Sequence, residues 1–299
     1  MSNTEQDLIK THKFKKAAFW KTKSFKTNVR VWSSHIFLCL FAIFFLAPFL
    51  WGLIGSFKSL DEMYEMPPKL LGSKIRWENY SQAFTALPFG RFMFNSFSIV
   101  FLNMLGVGVS CTITGYAFAR AKWKGRDFFF YVLLSSMMLP GAARMVPMYQ
   151  VVKMLDWLDT YKPMTIPHWL GLDVFYTFLM RQYFRTIPKS LEEAARIDGC
   201  SSFRIFSDIM VPLARPAIAT VMILLFISNW QNFVGPLMYL STYHKYTIAI
   251  GLRMFQDASG NYTHLLMAAS MITLIPVLIV FFLGQKYFVK GIVISGSKG

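Results

Sequence analysis

Charge is scarce in this sequence: Asp, Glu, Lys and Arg make up 15% of 299 residues, against roughly 25% in soluble domains. A chain of this length with so few polar groups cannot cover a water-facing surface, which argues against one or two ordinary soluble domains. Cysteine is nearly missing. Cys39, Cys111 and Cys200 are odd in number and widely separated, so they frame neither a disulfide scaffold nor a zinc-type site. The first two fall within apolar runs and read as small packing residues. There is no Gly-x-x-x-x-Gly-Lys-Ser/Thr loop, so ATP hydrolysis by this chain is not expected. A His-Glu-x-x-His helix is missing too, and the five histidines show no ligand-like spacing. No catalytic residue, metal or cofactor is therefore assigned to the chain itself.

What the sequence has is apolar length. The hydrophobic fraction is 55%, aromatics are 17% and mean hydropathy is +0.41. Apolar runs cover 36–57, 92–119, a stretch from Phe128 past Pro140, 165–180, 216–243 and 265–285. About 20 residues span a bilayer as a helix, so the expected fold is all-α, a polytopic membrane protein with six transmembrane helices. The fourth run is the weakest, since it carries His168 and Asp173. His168, beside Trp169, reads as a bundle histidine in preference to a proton relay. The first run is too long for a signal peptide, and no small-x-small cleavage site follows it.

The net charge of +16 lies between these runs, not along one stripe interleaved with stacking aromatics, so nucleic acid is not the expected partner. Six spans put both termini on one side. If that side is the cytoplasm, roughly 21 Lys and Arg lie inside and 10 outside, as the positive-inside rule expects. Residues 1–30, with eight Lys and Arg from Lys10 to Arg30, read as a basic cytoplasmic arm on anionic lipid; 31–299 form the membrane domain. In the second run Gly106, Ser110 and Thr114, alongside Gly108 and Thr112, allow close helix packing, within this chain or against a second subunit.

The longest cytoplasmic segment, about 181–216, is expected to hold a helix, a turn and a second helix. Ser190 and Glu193 have capping-box spacing, and Pro188 stops the incoming helix. Asp198-Gly199 is a turn signal. A second helix over 201–209 would put Phe203, Phe206 and Ile209 on one apolar face, closed by Pro212 and Pro216. Two alanines, Ala194 and Ala195, keep the first helix slim enough to enter a groove on another protein.

Glu193-Ala194-Ala195, Gly199, Ile209 and Pro212 together resemble the EAA motif of ABC importer permeases, with Val211 in place of the usual Leu. Ser56-Phe57-Lys58, Trp77-Glu78-Asn79-Tyr80, Asn95-Ser96, Tyr116-Ala117-Phe118-Ala119-Arg120 and the closing Lys290-Gly291 extend the likeness to carbohydrate permeases of the maltose-transporter type. Residues 1–30 lie outside it. The resemblance implies a type I importer bundle in the bacterial cytoplasmic membrane and a function in carbohydrate import. It also implies as partners a second homologous permease, two ATPase subunits carrying ATP and Mg, and an extracytoplasmic solute-binding protein. Glu193, Ala194, Ala195, Asp198, Gly199, Ile209 and Pro212 would then be the coupling residues. The outer loops, 58–91 and 243–264, would face the binding protein. The second is read as turn-rich through Gly251, Gly260 and Asn261, so deleting 255–262 should abolish transport without unfolding.

Arg144 follows Pro140-Gly141 in the third run, where a cation is costly. It either snorkels to the interface or grips the carboxylate of an acidic sugar. Permeases for other polar solutes, a self-contained secondary transporter and a membrane-embedded enzyme are the competing readings. A secondary transporter would call for internal repeats and coupling-ion carboxylates inside spans, where this chain has few acidic residues, and an embedded enzyme for a buried acid–base or metal constellation, which is not visible.

Overall fold

The computed structural model describes residues 23–256 and 262–296. Most of the expected arm (1–22) and the tip of the second outer loop (257–261) lie outside the described residues. The regular elements among the described residues are all helical. They divide into two compact units, 1–55 and 56–299.

The first unit is one helix, α1 (Lys23–Gly55), with Pro48 in its course. Its 26 residues from Arg30 to Gly55 are apolar enough to cross a bilayer. Cys39 lies on this helix. Cys111, in the second unit, is buried as expected.

The second unit opens with two short helices, α2 (Leu60–Met63) and α3 (Glu78–Ala86). It is organised around α4 (Phe89–Arg120). No charged residue interrupts α4 between Arg91 and Arg120, and 32 residues give a length of about 48 Å. Helices α7 (Lys162–Trp169), α8 (Val174–Thr186), α11 (Arg215–Trp230) and α13 (Ile248–Met254) pack on it, and α14 (Thr263–Gly296) packs on α11. The small-residue stripe serves this packing inside the chain. A Cβ on Gly106 would lie 2.7 Å from the Trp169 ring, Ser110 donates to the His168 carbonyl at 2.7 Å, and Thr114 meets Thr177 at 3.3 Å.

Three helices, α1, α4 and α14, are each long and apolar enough to cross a membrane, and two bent pairs raise that to five. The expected third span is one of these pairs. It runs as α5 (Arg126–Ser135) with a 3-10 turn over Ser136–Met138, then turns 105° at Leu139-Pro140 into α6 (Gly141–Met154). Proline holds the preceding residue extended, so the helix cannot continue through it. The expected fifth span stops at Trp230, short of Tyr243. Gln231 and Asn232 follow before a short helix, α12 (Val234–Tyr239). The fourth run does not form one long helix: α7 and α8 are separated at 170–173. His168 Nδ1 meets Asp173 Oδ2 at 2.7 Å across that break, the place of a bundle histidine.

Candidate functional site

The Tyr-Ala-Phe-Ala-Arg end of α4 and the 187–213 segment meet at one end of the bundle. Ile187 and Pro188 are extended, and α9 (Lys189–Ile197) begins directly after them. The expected capping box is not formed: Pro188 occupies the cap position, and no side chain caps the helix. The entry is set by the proline, which leaves Ser190 inside the first turn.

At its other end α9 closes as the sequence predicts. Gly199 has φ +80°, its amide donates to Arg196 O at 3.1 Å, and the Cys200 amide donates to Ala195 O at 2.9 Å. That pair of bonds is the Schellman arrangement, which requires a left-handed residue after the cap. Ser201 then caps the next helix by accepting the Arg204 amide at 3.3 Å.

This second helix, α10 (Ser202–Leu213), departs from expectation. Its middle, Ile205–Met210, is a π-helix. The i→i+5 step turns Ile205 and Met210 into the core, both fully buried. Phe203, placed by 3.6-residue periodicity on the inner face, is 76% exposed. Phe206 packs on Tyr116 at 5.0 Å between centroids, and Ile209 lies against the same core. Pro212 sits in the last turn, where α10 bends 69° into α11.

The faces of α9 are sharply divided. Glu193 and Ala194 are exposed, while Ala195 is buried in the core cluster around Phe184. Only Ala194 of the alanine pair therefore offers an approachable outer backbone. Ala195 lets α9 approach its own bundle. Ile197, four residues after Glu193 and on the same face, is 86% exposed. Asp198 is the exposed C-cap residue.

Sequence reasoning missed the residue that holds α9 in place. Glu192, buried, meets Arg120 with Nε to Oε1 at 3.1 Å, a charge contact not aligned as a hydrogen bond. Arg120 also donates from Nη2 to Phe184 O at 2.6 Å and to Ile187 O. One guanidinium thus joins the end of α4, the end of α8 and the first turn of α9. The Arg that closes the apolar run of α4, together with two adjacent glutamates at 192 and 193, was the available signal.

A second polar cluster gathers at the opposite end of α4. Asn95 donates to His244 O and Tyr246 O, each at 2.9 Å, and Ser96 accepts the Ile248 amide at 2.9 Å. Asp159 Oδ1 accepts the Ser241 and Thr242 amides at 3.0 and 2.9 Å, and its Oδ2 meets Lys245 Nζ at 2.7 Å. Asn95 and Arg120 are roughly 38 Å apart along α4, more than the ~30 Å hydrocarbon thickness.

Two details of the second outer loop need correction. Gly251 is buried within α13, where an added Cβ would lie 2.5 Å from Phe92, so it is a packing glycine and not a turn. Phe255 is 2% exposed and contacts Phe89, so a deletion beginning at 255 would damage the core. Arg144 lies on α6, where every residue from 141 to 151 is exposed.

The family model described as "Binding-protein-dependent transport system inner membrane component" matches residues 111–294. The chain is 32% identical over 269 residues to the sn-glycerol-3-phosphate transport system permease protein of Yersinia enterocolitica, covering 87% of this chain and 95% of the relative. It is 33% identical over 270 residues to the arabinooligosaccharides transport system permease protein of Halalkalibacterium halodurans, covering 88% and 94%. Its fold matches a chain of a bacterial ABC transporter that imports the acidic polysaccharide alginate. The TM-score is 0.76 at 24% identity, over 89% of this chain and 98% of that one.

Proposed function

The chain belongs to the family of binding-protein-dependent transport system inner membrane components, and on that premise we propose that it is a permease subunit of a bacterial ABC importer for carbohydrates. Its partners are a second homologous permease, two ATPase subunits that bind ATP and Mg, and a solute-binding protein outside the membrane. It crosses the cytoplasmic membrane six times with both termini inside. The fourth crossing is the α7–α8 pair. Asp159, before α7, lies beside the 239–245 segment, Met164 lies beside Asn103, and Phe184 lies beside Arg120, so the pair runs along α4 in the same direction as α4 itself.

The observation that carries the coupling role is the division of α9. Its inner face is tied to the bundle by Glu192 and Ala195, and its outer face shows Glu193, Ala194 and Ile197 with Phe203 beyond the turn. An apolar patch around one carboxylate suits a cleft on the ATPase that carries a basic group. Asp198-Gly199 sets the turn, and Ile209 and Pro212 anchor and bend the second helix. Movement of α9 on ATPase closure then passes through Arg120 to α4 and α8, a rocking between two discrete packings. In proteoliposomes containing the whole transporter, Glu193→Ala should reduce ATP-driven uptake at least tenfold while the chain still folds, because this side chain is exposed. Undiminished uptake would overturn the assignment.

The relatives named above carry a phosphate ester and oligosaccharides, so the family leaves the charge of the solute open. Arg144, on an exposed helix beyond the 105° bend, favours an acidic carbohydrate, gripped by guanidinium. Arg144→Gln should raise the KM for an acidic oligosaccharide and leave a neutral one unaffected; equal effects on both would remove this residue from the solute pathway.

A further inference from the structure

The link between α4 and α5 gathers cations with little to neutralise them. Lys122, Lys124 and Arg126 line a surface groove of about 530 Å³ together with Trp123, Asp127 and Phe128. From α8, Arg181 and Arg185 act on the same Asp127, and Arg126 and Arg185 act on Arg181 as like charges. Three arginines thus act on one carboxylate, and two lysines line the groove beside it. Arg126 is engaged with Asp127 at 2.9 Å and Ala121 O at 3.2 Å. Arg181 donates to Phe118 O at 3.2 Å and stacks over Phe130 at 3.8 Å. Lys122, Lys124 and Arg185 are exposed and make no ion pair among the described residues. Around the groove cations outnumber the single carboxylate, Asp127.

What adjoins the groove identifies the anion. From Phe128 to Met138 the chain has no charged residue, and Phe128, Phe129 and Tyr131 are exposed. Trp123 packs between Phe118 and Phe129, at 5.9 and 5.8 Å, the kind of aromatic that marks a headgroup boundary. A soluble phosphate would satisfy the cations and leave this apolar flank uncovered. A phospholipid answers both, with its phosphate on the lysines and its acyl chains along α5.

We propose that Lys122 and Lys124, with the groove they line, form a binding site for one anionic phospholipid at the end of the bundle that carries α9. The proposal rests on the membrane placement given above. Because the groove lies two residues from Arg120, a lipid bound there would steady the charged junction through which α9 is held.

The test is native mass spectrometry of the purified full-length chain in detergent with equal amounts of phosphatidylglycerol and phosphatidylcholine. Phosphatidylglycerol should be retained in preference. Near a membrane each Lys or Arg changes such binding about fivefold, so Lys122→Gln with Lys124→Gln should weaken the preference about thirtyfold. Replacing both with arginine should preserve it, and thermal unfolding should show all variants equally folded. Equal retention of the two lipids, an unchanged preference in the double glutamine variant, or displacement of the lipid by inorganic phosphate at equal concentration would overturn it. Cytoplasmic maleimide labelling of Lys124→Cys tests the membrane orientation separately, since lipid preference in detergent does not depend on it.

Discussion

Glu192 and Glu193 are neighbours with the same chemistry, and the structure gives them opposite surroundings. The Glu192 side chain is 10% exposed against Arg120 at 5%, whereas Glu193 faces outward. Removing one member of a buried ion pair leaves the other charge uncompensated, at about 3–5 kcal/mol. An exposed substitution usually stays within about 0.5 kcal/mol. Glu192→Ala should therefore lower the unfolding temperature markedly and Glu193→Ala should not; similar losses for both would contradict the burial described. Sequence alone could place both glutamates on one short helix but could not say which faced inward. That depends on where the end of α4 lies in space.

At the scale of the element, the α9–turn–α10 unit shows which local signals can be read directly. Asp198-Gly199 predicts the helix end because a left-handed residue needs no tertiary partner to be preferred. An added Cβ on Gly199 would meet nothing within 4 Å, so Gly199→Ala should cost about 1–2 kcal/mol from backbone strain alone. Calorimetric unfolding is the measurement, and a neutral result would mean the turn had changed shape. The capping box and the apolar face of α10 were misread for a shared reason. Both inferences assume an α-helix with 3.6 residues per turn and a free N-terminus. Pro188 had already set the entry to α9, and the π stretch rotates α10 so that Ile205 and Met210 are buried while Phe203 is left outside.

For the whole molecule, the two ends of α4 are held by different chemistry. Near α9 the tie is Arg120–Glu192. At the far end, and in the 58–91 loop, carboxylates accept hydrogen bonds. Glu62 accepts from the Ser73 hydroxyl and from the Ser59 and Ser73 amides at 2.9 and 2.8 Å. These bonds hold its carboxyl down at about 2, from an ordinary 4.5. Lys245 and Thr242 hold Asp159 well below its usual range. Both groups titrate lower folded than unfolded, so their contribution is complete above the unfolded values, near pH 4.5 and 3.8, and is lost as pH falls below them. Hydrogen exchange at residues 59, 73, 241 and 242, corrected for intrinsic rate, should speed up between about pH 6 and pH 3. Protection unchanged over that range would show that these carboxylates do not hold the loops.

Hydropathy and basic-residue placement in the sequence marked a polytopic membrane protein, and the spacing from Glu193 to Pro212 carried its likeness to importer permeases. Both kinds of signal are local, because lipid acts as solvent on each apolar run separately and a turn residue acts on its own backbone. Contact between distant segments had to come from the tertiary structure. It joined Arg120 to Glu192 and Asp159 to Lys245, and packed Gly251 against Phe92. Each of these joins residues far apart in the chain, and no single stretch of sequence carries that information.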